Sequence, residues 1–104
     1  MTDLKISKAL ALAIGYKPRD VGWHSDMREI VVRRENSSDK YNWRVFDYRD
    51  WNVIGPIAER YDVFPYKLII GEKSGYWNAI SRGKDTIADT PQKAIALAVI
   101  GAKK

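Results

Sequence analysis

Thr90-Pro91-Gln92-Lys93-Ala94-Ile95-Ala96-Leu97-Ala98-Val99-Ile100-Gly101 carries the strongest structural signal in this chain. A threonine can accept a hydrogen bond from an amide of the first helical turn, and proline at the first helical position gives up only an N–H that has no partner there. The residues after Lys93 are apolar on every side, so the helix they predict, to Ile100 with Gly101 ending it, is either buried all round or covers a partner. Upstream, Tyr66 to Ile70 and Tyr76 to Ser81 read as strands around Gly71-Glu72-Lys73-Ser74-Gly75, a hairpin with a five-residue loop. Asp85 to Asp89 reads as loop.

Further back, Asp50 can cap a second helix from Trp51 to Tyr61, with Asp47 its rival; Val53, Ile54, Ile57 and Tyr61 fall on one side. Gly55-Pro56 interrupts it. Proline in a helix interior removes one amide bond and crowds the preceding turn, at a cost of about 3 kcal/mol. The regular helix is therefore expected near Pro56, with Trp51 to Gly55 as an irregular first turn. Ile30-Val31-Val32 and Tyr41 to Tyr48 form another hairpin around the polar Glu35 to Lys40, and Val21 to His24 reads as a short strand within a loop. A first helix capped by Asp3 or Thr2 runs to about Ile14, with Gly15 as a left-handed terminator. The sum is one α+β domain over residues 1–104, an antiparallel sheet of about four strands in two hairpins packed with three helices in the order α-ββ-α-ββ-α.

The composition excludes more chemistry than it suggests. The chain has 104 residues, no cysteine and one histidine, His24, which removes disulfides, thiolate metal sites, a cysteine nucleophile and multi-histidine metal sites. None of the serines sits in a Gly-x-Ser-x-Gly elbow, so His24 has no nucleophile to serve. Gly71-Glu72-Lys73-Ser74 lacks the leading glycine of a phosphate loop. The carboxylate pairs Asp47/Asp50 and Asp85/Asp89 lie where helix starts and loops favour acids. No enzymatic activity, metal or cofactor is expected. No apolar run approaches the roughly 20 residues that span a bilayer. The N-terminus lacks the pattern of a signal peptide, so the reading is a cytoplasmic protein without membrane contact.

Four groups of residues are candidates for contact with something else. Arg33, Arg34 and Arg44 lie around Trp43, the basic and aromatic mixture with which single-stranded nucleic acids are bound. The net charge of +5 is spread through both halves of the chain, which weakens that reading. Trp51 and Trp77 could line one concavity near the sheet edge, with an aromatic cluster filling the core as the alternative. Amides around Thr90 and Gln92, at the start of the last helix, could hold a small anion such as a nucleotide phosphate. Ile95 and Val99, on a helix too apolar for a domain this small to surround, are the expected seam of a homodimer.

Four motifs in order, Asp50-Trp51, Gly55-Pro56-Ile57-Ala58-Glu59, Gly75-Tyr76-Trp77-Asn78-Ala79 and Ala88-Asp89-Thr90-Pro91-Gln92-Lys93-Ala94, resemble the NinX-like small proteins of lambdoid phages. More loosely they resemble phage proteins with an "ABA sandwich" domain. The resemblance covers roughly residues 50–102 and fades over Tyr16 to Tyr48. It implies a phage or prophage accessory protein made in a bacterial cytoplasm and supplies no activity. The expectation is a non-enzymatic protein that binds a host or phage macromolecule, in concrete form inhibiting a host defence or replication factor. Nucleic-acid binding and capture of a small anionic ligand are the alternatives.

Overall fold

The structure is a computed structural model that describes residues 2–24, 28–33, 43–69, 71–72 and 74–102. It is α+β, and its backbone groups into two compact units, Met1–Asp47 and Tyr48–Lys104. Each unit holds a three-stranded antiparallel sheet. The expectation of one sheet of about four strands is thereby corrected: the short strand Val21–His24 joins the first hairpin, Lys84–Ala88 adds a strand to the second, and the strands divide into two sheets.

In the first unit, helix α1 (Asp3–Ala13) is capped by Thr2, whose Oγ1 accepts from the Lys5 amide. It ends in a Schellman motif, with Tyr16 N–H donating to the Ala11 carbonyl and Gly15 N–H to that of Leu12. The motif places Gly15 at φ 114°, open only to a residue without Cβ. A short 3-10 turn over Pro18–Asp20 leads into strands β1 (Val21–His24), β2 (Glu29–Arg33) and β3 (Trp43–Val45), in that spatial order. Pairing of Val21 with Val32, and of Val32 with Arg44, puts these three on one face. Ile30 and Val32 are buried on that face, toward which α1 packs with Ile6 and Leu10. Phe46 is buried too, edge-on to the Tyr16 ring at 6.0 Å.

In the second unit, α2 (Trp51–Tyr61) is regular from its first residue, contrary to expectation. Asp50 Oδ1 accepts from the Asn52 amide and the Asp50 carbonyl from Ile54, so the first turn is complete before Pro56 is reached. Pro56 and Asn52 are both exposed, so the carbonyl that proline leaves unpaired lies on the wet side of the helix. Gly55, having no Cβ, also avoids the contact between the proline ring and its predecessor's Cβ. The helix closes with Asp62 at φ 54° and Val63 N–H donating to the Ala58 carbonyl, a second Schellman end with aspartate where glycine is usual.

Strands β4 (Pro65–Lys67), β5 (Trp77–Ser81) and β6 (Lys84–Ala88) follow in sequential order. The β4–β5 hairpin forms with other bounds than expected: β4 begins at Pro65, and Gly75, expected in the loop, donates its N–H to the Leu68 carbonyl while Leu68 N–H donates to that of Tyr76. The segment read as loop is strand β6, joined to β5 by the two-residue turn Arg82-Gly83, both at positive φ. Helix α3 (Pro91–Ala102) starts at Thr90, whose Oγ1 accepts from the Lys93 amide, and runs through Gly101 instead of stopping there. It packs on all three strands and on α2, and six of its residues, Ala94, Ile95, Ala96, Ala98, Val99 and Ile100, are buried.

Candidate functional site

Register sorts the residues of the first sheet. Arg33 pairs with Trp43 and Val31 with Val45 on the outer face, whereas Arg44 shares the opposite face with Val32. The Trp43 ring lies against Gly22, where a Cβ would stand 3.2 Å from Cζ3. The Arg33 guanidinium lies over the same ring, 5.0 Å from its centroid, and donates to Asp20 at 3.0 Å. Asp20 is buried, so this ion pair is a structural clasp between the 3-10 turn and β2. Arg33 is thus neutralised and partly occupies the tryptophan face that a nucleobase would need. Arg34 lies outside the described residues. His24 is exposed at the end of β1, opposite Glu29.

The other candidates fall on the second unit, where most have structural work. Thr90 caps α3, and Gln92 Nε2 donates to the Arg49 carbonyl at 3.2 Å. The Asp89 carboxylate, 3.9 Å from Lys93 Nζ, already supplies negative charge at this helix start. Asp50 caps α2 and Asp85 accepts from Asn78. Trp51 is exposed in the first turn of α2 and Trp77 half-buried at the start of β5. Ile95 and Val99, expected as an oligomer seam, are 0% and 1% exposed. They are core of the single chain. The third strand and α2 supply the cover that a four-stranded reading lacked.

What sequence reasoning missed is the outer face of the second sheet. Tyr66, Asn78 and Ile87 are cross-strand partners, and Ile80 and Asp85 pair two residues along, so all five share one face. Helix α3 packs on the sheet, whose opposite face includes Ala79 and Ala88, both buried. On the outer face Tyr66, Ile80 and Ile87 are 47%, 44% and 44% exposed. Asn78 between them is only 4% exposed; its Nδ2 donates to Tyr66 Oη at 2.7 Å and to Asp85 Oδ1 at 3.1 Å, and its Oδ1 has no hydrogen-bond partner. This network fixes the side chains that frame the apolar patch. The available signal was the alternation of Thr86 and Ile87 after Arg82-Gly83, hidden by the charges of Lys84 and Asp85.

Two cavities lie near the Arg82-Gly83 turn. One of about 230 Å³ is bounded by Lys84 and Thr86 of β6 and by Ala98, Gly101 and Ala102 of α3. The other, about 270 Å³, is lined by Asp62, Val63, Arg82 and Val99 among others. Neither is lined by Trp51 or Trp77. Among the described residues no helix is long and apolar enough to cross a membrane. Comparison with protein-family models and with curated proteins gives no match to this chain.

Proposed function

We propose that this chain is a non-enzymatic binding protein that docks a protein partner on the outer face of the β4–β5–β6 sheet. The observation that carries the reading is the patch of Tyr66, Ile80 and Ile87, exposed on a rigid sheet around a buried, hydrogen-bonded asparagine. Exposed apolar side chains clustered on a regular element mark interaction surfaces, and a prefixed frame lowers the entropy lost on docking. The phage-type resemblance of residues 50–102 adds the setting: an accessory protein in a bacterial cytoplasm, acting by occupying a host or phage macromolecule. Nucleic-acid binding has less support, since Arg33 is committed to Asp20 and Trp43, and Arg44 faces away from both. The anion reading has less support too, since Asp89 stands beside Thr90 and Gln92.

The test is capture from extract of an infected or lysogenic bacterial host, with the immobilised chain and its Ile80→Glu variant. The reading expects a stoichiometric protein that the wild-type chain retains and Ile80→Glu releases. Capture of nothing, or of proteins indifferent to the substitution, would overturn it.

A further inference from the structure

We infer that the groove between the open edge of β6 and helix α3 takes an extended segment of the partner protein as a fourth strand. The inference rests on the binding reading above and specifies what the partner presents. The first observation is the edge itself. In the two-residue turn, Ser81 and Lys84 form the closing hydrogen-bonded pair, so Thr86 and Ala88 also direct their backbone groups to β5. The N–H and C=O of Asp85 and Ile87 therefore point away from the sheet, and among the described residues no strand lies beyond β6. At the other edge β4 carries Pro65 at an outward position, which has no N–H to offer. One edge is blunted and one is open.

The second observation is the cavity beside that edge. Thr86 is on the α3 side of the sheet, and the space of about 230 Å³ lies between it and the small residues Ala98, Gly101 and Ala102. A strand added to β6 places alternate side chains over this space, so backbone bonds supply affinity and the cavity selects one side chain. Running antiparallel, the residue opposite Thr86 enters the cavity and should be aliphatic. Two residues along on the same side, opposite Lys84 and beside Arg82, a carboxylate is favoured. On the outer face the positions opposite Ile87 and Asp85 favour an apolar and a basic residue.

A second copy of this chain fits poorly. Antiparallel self-pairing of these edges has three registers. They set Asp85 against its own copy, against Asp89, or against Ile87, each a like-charge contact or a carboxylate placed on an apolar side chain. The occupant is a foreign strand of the pattern apolar-aliphatic-basic-acidic.

The experiment uses the full chain and a fluorescein-labelled peptide, Ser-Val-Thr-Val-Leu-Lys-Glu-Thr-Ser, followed by fluorescence anisotropy. Its Val, Leu, Lys and Glu fall opposite Ile87, Thr86, Asp85 and Lys84. Exchanging the Lys and Glu of the peptide is expected to weaken binding at least tenfold. Ile87→Pro, which removes an outward N–H, is expected to do the same with little change in Tm, whereas Ile87→Thr stays within about threefold. Gly101→Leu, which fills the cavity without touching the strand, gives an independent loss of at least tenfold. Amide exchange at Asp85 and Ile87 should slow in the complex. Absence of binding, equal binding of the exchanged peptide, or binding indifferent to Gly101→Leu overturns the inference. A dimer in sedimentation that Ile87→Pro dissolves would seat a second copy on the edge and overturn it as well. If the peptide fails while a partner is still released by Ile80→Glu, the edge assignment falls and the binding face stands; the converse result separates them the other way.

Discussion

Gly22 and Arg82 show how much one residue's missing or misplaced Cβ matters here. Gly22 sits in a strand because the Trp43 ring occupies the place of its side chain. Gly22→Ala brings Cβ within 3.2 Å of that ring, so it should lower stability by about 1 kcal/mol and shift the tryptophan emission. Arg82 has φ 53° in a turn whose first position favours asparagine or glycine. Arg82→Asn relieves the left-handed penalty and should raise stability by about 1 kcal/mol in urea denaturation. Neither position was legible as such. Nothing in the stretch Val21 to His24 says that a tryptophan ring fills the place of a side chain at Gly22, and Arg82-Gly83 is not a common spelling of a tight turn. Both depend on contacts or dihedrals that residue type alone under-determines.

At the scale of elements, helix starts were the most readable feature. Thr2, Asp50 and Thr90 all stand as caps with a side-chain oxygen on an early amide, since capping is local chemistry between residues two or three apart. Helix ends and continuity were less so. Gly101 predicts a stop yet lies inside α3, and Pro56 predicts a start yet lies inside α2. In each case burial of the helix face outweighs a local propensity of a few kcal/mol. Pro56→Ala restores the Asn52 hydrogen bond on the exposed side and should stabilise the chain by about 1–3 kcal/mol, read as a higher Tm. A fall in Tm would mean that the proline is relieving strain elsewhere in α2. Strand β6 was missed because an exposed edge strand wears its charges outward. Lys84 and Asp85 blur the alternation that Thr86 and Ile87 begin.

For the molecule as a whole, the apolar composition of the last helix placed a seam at Ile95 and Val99, side chains that the chain itself buries. Ile95 is fully buried by elements of its own chain, so Ile95→Ala should cost about 2–5 kcal/mol of stability in denaturant titration. Sedimentation of the folded variant should match wild type. A change in its association state would return Ile95 to an interface.

The sequence by itself determined the α+β class and the three helices with their capping residues, because those follow from spacing and from hydrogen bonds between near neighbours. It also settled, through the absent cysteines and the lone histidine, which chemistries have no residues to perform them. Only the tertiary structure decided that the strands divide into two sheets, that Arg33 belongs to Asp20 and Trp43, that Ile95 and Val99 are core, and that Tyr66, Ile80 and Ile87 form the open face. These outcomes depend on which segments pair at a distance, and strand pairing is chosen by burial summed over the whole sheet, a quantity no single stretch of sequence contains.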